Sequence, residues 1–133
     1  MGRYLLPALA LLALSGAAAA SPPRAEPIAS YCSPSGDLCY GVVNRSGAVY
    51  LELATAARYF GRYRLCVRLL NAAGAAGAER CGSFPLFRDI GSTWRSRVKY
   101  ARQFPALGRG TYRVTWKLGS RPLGPALRFR LPL

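Results

Sequence analysis

The chain reads as a single all-β domain, an antiparallel sandwich of about seven strands behind a cleaved signal peptide. Three observations predict it. Residues Gly110 to Leu118, GTYRVTWKL, alternate so that Tyr112, Val114, Trp116 and Leu118 share one face while Thr111, Arg113, Thr115 and Lys117 share the other. Alternation with aromatic and β-branched residues, after a turn containing Gly108 and Gly110, marks a half-buried strand, here the central one of a sheet. Other segments alternate in the same way at the spacing of a sandwich, separated by clusters of Gly, Pro, Ser, Asn and Asp. No helical period competes with them beyond the first twenty residues.

Those first twenty residues form a secretory signal peptide. Arg3 supplies a positive start, Leu5 to Leu14 an apolar run, and Ala18 and Ala20 the small residues a signal peptidase accepts. A membrane anchor is the weaker reading, because ten apolar residues rising about 1.5 Å each span only about half of a hydrocarbon core. Cleavage leaves 113 of the 133 residues, enough for one domain with a buried core but not for two. Residues 21–30, with the Pro-rich SPPRAEPIA, read as a flexible leader, and residues 31–133 as the sandwich domain.

Tyr31 to Cys39, YCSPSGDLC, sets two cysteines around a turn-forming cluster, so a local Cys32–Cys39 bridge is expected. A hairpin follows, with the four-residue turn Asn44 to Gly47. Facing Val43 with Ala48 sets Leu38, Tyr40 and Val42 against Leu53, Leu51 and Val49, all on one side, with Cys39 outside. Asn44-Arg45-Ser46 also matches a glycosylation tripeptide, which in a bacterial exported protein means only a turn. Ala54 to Phe60 is a connection. In GRYRLCVRLL, Tyr63, Leu65, Val67 and Leu69 face inward, and Cys66 faces outward with Arg62, Arg64 and Arg68.

NAAGAAGA is a low-complexity loop, and ERCGSFPLF returns with Phe84 and Leu86 inward. Placing Cys66 opposite Cys81 pairs Tyr63 with Phe84 inside and Arg68 with Glu79 outside, which selects a cross-strand Cys66–Cys81 disulfide on the surface. The bridge is expected to act as a staple, closing a loop worth about 3 kcal/mol; a redox role is the sharper but less favoured alternative. TWRSRVKYARQF then puts Trp94, Val98, Tyr100 and Phe104 on one face, opposite Arg95, Arg97 and Lys99, and Pro105 ends it. Last, LGPALRFRL turns Leu127, Phe129 and Leu131 inward and Arg128 and Arg130 outward.

GRGTYRVTW resembles the corner and penultimate strand of immunoglobulin-like and fibronectin type III-like domains. The resemblance implies that Tyr112 is a tyrosine-corner residue whose hydroxyl bonds back to the preceding turn. Val114 stands where antibody domains carry a cysteine, so their inter-sheet disulfide is absent. With YCSPSGDLC, GRYRLCVR and LGPALRFRL, the mature chain also resembles small secreted bacterial proteins of uncharacterised function in that sandwich class. No catalytic residue comes with this resemblance.

Chemistry is sparse. There is no His, the commonest base and metal ligand, and no C-x-x-C pair, so neither zinc nor any other cofactor is expected. The five acids Glu26, Asp37, Glu52, Glu79 and Asp89 are scattered, and no nucleotide or nucleophile motif occurs, so an enzyme is not expected. The net charge is +14, or +13 once Arg3 is cleaved, and seventeen of the nineteen basic residues are Arg. A genome rich in G and C explains Arg over Lys but not the shortage of acids. Such an excess attracts polyanions.

In the expected topology, Arg64, Arg68, Arg113, Lys117, Arg128 and Arg130 gather on the outer face of one sheet, a candidate anion-binding face. Arg95, Arg97 and Lys99 fall on the other sheet, beside Tyr50 and Glu52. The bland alternative is a solvated strand surface. The function expected is a secreted or envelope-associated, non-enzymatic binding module for an anionic envelope polymer or an acidic protein. The alternative is an inhibitor of a secreted hydrolase acting through disulfide-closed loops. Direct binding to nucleic acid or membrane ranks last, because the aromatics alternate inward and there is no amphipathic helix. No transmembrane segment is expected in the mature chain.

Overall fold

Most segments in which apolar residues recur at every second position are extended and turn that row inward. The computed structural model describes residues 25–104 and 107–133. The expected signal peptide, residues 21–24 and Pro105 lie outside the described residues. The strands are β1 (Ala25–Cys32), β2 (Leu38–Arg45), β3 (Ala48–Thr55), β4 (Arg62–Leu69), β5 (Arg80–Pro85), β6 (Phe87–Arg88), β7 (Trp94–Lys99), β8 (Gly110–Leu118), β9 (Arg121–Pro122) and β10 (Leu127–Leu131).

One antiparallel sheet has the order β1-β2-β3-β7-β6. The other has β10-β8-β4-β5, with β9 paired to the end of β8. Without β1 and β9, these are the A-B-E-D and G-F-C-C′ orders of an immunoglobulin-like sandwich. Among the described residues ten strands replace the expected seven, because three short or irregular ones carry little alternation. The leader expected to be flexible is one of them from Ala25 onward. It pairs with β2 as an edge strand whose register shifts between Pro27 and Ala29, where a residue without an amide proton is tolerated.

The inward rows meet in one core. Tyr40, Val42, Leu51 and Leu53 come from the first sheet, and Tyr63, Leu65, Tyr112, Val114, Trp116 and Phe129 from the second, all buried. Trp116 stacks on Tyr40 across the sandwich at 4.4 Å between centroids. Each of three buried phenols also finds an acceptor. Tyr40 donates to Pro125 O at 2.6 Å, Tyr63 to Ser96 Oγ at 2.7 Å and Tyr112 to Gly108 O at 2.6 Å. The Tyr112 bond ties β8 to the turn before it, the geometry expected of a tyrosine corner.

Burial pushes the Tyr40 phenol up to about 12, helped by the neighbouring Tyr31. It also pushes Tyr63 up to about 12 against the lowering effect of its Ser96 bond, and it raises Tyr100. Between the unfolded value near about 10 and these folded values, the unfolded chain holds fewer protons, so stability falls as pH rises. Alkaline unfolding followed by tyrosinate absorbance is therefore expected to be cooperative between about pH 10 and about pH 12. A gradual titration at the free phenol value, with the fold intact, would show that these rings are not sealed in.

Several details differ from the sequence expectation. The β2–β3 hairpin is offset by two residues from the expected pairing: Tyr40 faces Leu53, Val42 faces Leu51, and Arg45 faces Ala48. Ser46 and Gly47 alone make the turn, both with positive φ (52° and 85°), and the Asn44 side chain accepts the Gly47 amide at 2.9 Å. A two-residue turn of this kind matches strand twist better than a four-residue one. An even offset keeps every side chain on its expected face.

Residues Tyr100–Gln103 form a one-turn helix, α1, where continuous strand was expected. Tyr100 and Phe104 are nevertheless both buried, because four residues bring a side chain back to the same side in a helix as in a strand. Leu118 is 44% exposed at the strand end, not interior. The low-complexity loop contains a 3-10 turn at Gly74–Gly77.

Both disulfides join the expected partners, Cys32 to Cys39 and Cys66 to Cys81. Tyr63 faces Phe84 as the second bridge requires. Cys66 lies on the outer face yet is only 1% exposed, so only the Cys81 end of the bridge reaches the surface. Glu79 bonds Lys117 at 3.1 Å in place of the expected Arg68, because β5 pairing begins at Arg80, after Glu79.

Candidate anion-binding face

The pairing of β10, β8 and β4 brings the expected outward cations onto one surface. Arg128 faces Arg113, and Arg113 faces Arg68, so three guanidinium-bearing residues stand abreast on adjacent strands. Two residues along, Lys117 faces Arg64. Arg130 faces Thr111 at the other end of the patch. Thr115, Cys66 and Cys81 form the row between the two cationic rows. Neighbouring strands lie about 4.8 Å apart, and like charges placed directly opposite destabilise a sheet. Some counter-charge must offset that repulsion.

The protein's own acids provide little of it here. Glu52, on the first sheet, holds Arg45 through two bonds of 2.8 and 2.9 Å and also Arg97 at 3.2 Å. Asp89 stands 3.0 Å from Arg95, though without an aligned hydrogen bond. Glu26 is on β1 opposite Asn44, and Asp37 lies in the Cys32–Cys39 loop. Among the described residues, only Glu79 pairs with a cation of the second sheet's outer face, Lys117. Among the described residues, no carboxylate pairs with Arg64, Arg68, Arg113, Arg128 or Arg130. The neutralised cations therefore lie mainly on one sheet, and the unpaired row lies on the other.

The first sheet carries Arg95, Arg97 and Lys99 opposite Ala54, Glu52 and Tyr50, as expected. Sequence reasoning missed Phe87 and Arg102, which line a cleft beside that sheet together with Lys99. No local signal marks them, because they come from different elements. The sulfurs of Cys66 and Cys81 and a Glu79 carboxylate oxygen lie within 4.8 Å of one another. Both sulfurs are joined in the disulfide, so they have no thiolate to offer a metal. Among the described residues, no helix is long and apolar enough to cross a membrane.

Compared with protein-family models, curated proteins and solved structures, the chain has no match.

Proposed function

We propose that this protein is an exported, non-enzymatic binding module whose second sheet contacts an anionic envelope polymer. The observation that carries the reading is the row Arg128, Arg113 and Arg68, which among the described residues is paired with no carboxylate while Glu52 and Asp89 neutralise the opposite sheet. A repeating anion laid across the strands relieves the repulsion within the row and releases the counterions that otherwise screen it. Export is supported by the leader-like first twenty residues and by two disulfides, which persist in oxidising compartments. The kinship proposed is with the small secreted immunoglobulin-like proteins, supported by the strand order and the Tyr112 bond.

Polyglycerol phosphate and polyglutamate serve as probes, with fluorescence anisotropy as the readout. Affinity is expected to fall steeply between about 50 and about 200 mM salt. The triple variant Arg64→Ser, Arg113→Ser, Arg128→Ser should flatten the log–log salt slope by about two to three. Arg45→Ser, whose charge Glu52 already neutralises, should leave it unchanged. A triple variant that binds like the parent would overturn the proposal.

A second reading is inhibition of a secreted hydrolase by the Cys32–Cys39 loop. Its support is internal order: Ser33 N donates to Leu38 O and Gly36 N to Ser33 O, both at 2.8 Å, inside the disulfide. A preordered loop loses little entropy on docking. A hydrolase panel showing no inhibition at micromolar protein removes it.

A further inference from the structure

At one side of the sandwich, between β5 and β7, lies a cleft of about 290 Å3. It exists because the chain leaves the second sheet after Pro85 and joins the first as β6, a strand of only two residues. β6 covers Trp94 and Arg95 alone, so β7 from Ser96 to Lys99 is paired on its β3 side only. The gap is lined by Phe84 and Phe87 from the crossing segment, by Ser96 and Lys99 from β7, and by Arg102 from α1.

Its chemistry is one-sided. No acidic residue lines it, and among the described residues neither Lys99 nor Arg102 is paired with a carboxylate. Arg97 also reaches the cleft but is shared with Glu52. Ser96, 4% exposed, accepts the Tyr63 hydroxyl and so keeps its own proton to donate. Phe87 is 65% exposed and sets an aromatic ring at the cleft. Charges beside an open strand edge also keep copies of a chain from pairing. That role needs neither a cleft nor aromatic walls.

We infer that this cleft binds a small carboxylate carried on a single ring. The ring is taken by Phe84 and Phe87, and the carboxylate is answered by Lys99 and Arg102 with Ser96 as a further donor. The volume, at the lower end of small-molecule sites, admits one ring and not a drug-sized ligand. A carboxylate held in a cleft is met by charge-assisted hydrogen bonds, which this lining supplies. The site is separate from the arginine row on the second sheet and does not depend on the polymer reading.

The test titrates 15N-labelled protein with benzoate and glucuronate, followed by amide shifts, with benzamide and acetate as controls. Saturable shifts are expected at Phe87, Ser96 and Lys99 for a ring carboxylate, about tenfold tighter than for benzamide or acetate. The tighter of benzoate and glucuronate identifies the ring as aromatic or saturated. Lys99→Ala with Arg102→Ala should weaken binding at least about tenfold while shifts elsewhere show an intact fold. Arg113→Ser with Arg128→Ser should leave it unaltered. Equal binding of benzoate and benzamide, equal binding of acetate, no saturation, or loss of binding in the arginine-row variant would each overturn the inference.

Discussion

Trp116→Ala is expected to lower the unfolding free energy by about 3–5 kcal/mol, the range for removing a large buried aromatic side chain. Trp116 is fully buried on β8 and belongs to the second sheet, yet its ring stacks on Tyr40 of the first at 4.4 Å, 18° from parallel. Tyr40 in turn packs against Tyr31 at 5.1 Å and holds Pro125 O, ahead of β10. One side chain therefore joins β1, β2, β8 and the approach to β10, and removing it leaves a cavity between two sheets that cannot both relax inward. A domain of this size has only about 5–15 kcal/mol in total. Urea unfolding should show the midpoint shifted with the slope unchanged. Trp116→Phe separates packing from polarity: the indole Nε1 has no hydrogen-bond acceptor among the described residues, so that change removes volume but no protein hydrogen bond. It should cost about 1–2 kcal/mol. A loss under about 1 kcal/mol for Trp116→Ala would show that the sheets are not clamped at this point.

Removing both disulfides is expected to cost about 5 kcal/mol, enough to bring the chain close to unfolding. The Cys66–Cys81 bridge closes a separation of 15 residues and contributes about 3 kcal/mol by loop closure. The Cys32–Cys39 bridge closes 7 and contributes about 2 kcal/mol. The first ties β5, an edge strand of the second sheet, to β4; the second ties β1, an edge strand of the first, to β2. Each of these strands is paired on one side only, so paired Cys66→Ala and Cys81→Ala should first release β5 and the loop before it. Denaturant curves of the single-bridge and double-bridge variants should be additive, since the two bridges lie in different sheets. Hydrogen exchange should rise first in β5 in one variant and in β1 in the other. Exchange that rises uniformly in both would show that the bridges act on the whole domain, not on its edges.

How much of the candidate site was legible follows from what kind of information each part needs. The six cations fell where expected because a strand sorts its side chains by parity, and parity is readable without knowing the neighbour. The neutralisation that distinguishes the two sheets was not readable. Glu52 reaches Arg45 within its hairpin but also Arg97, forty-five residues away, and Glu79 takes Lys117, thirty-eight residues away, where Arg68 was expected. Phe87 and Arg102 were missed for the same reason: one lies on a two-residue strand and the other in a single helical turn, neither long enough to show a period. Leu118 shows the converse failure, keeping the right parity but running past the edge of the core.

By itself, the sequence determined the inward and outward rows, both disulfide pairings and the place of Gly110–Leu118 at the centre of its sheet, because each depends on parity or on chemistry that only one pairing satisfies. Tertiary structure alone decided the hairpin offset, the added edge strand at Ala25, the helical turn at Tyr100 and the cleft between β5 and β7. An offset of two residues or a helical turn of four leaves the buried face unchanged, so the apolar pattern is blind to it. Turn geometry and the meeting of distant strands make that choice.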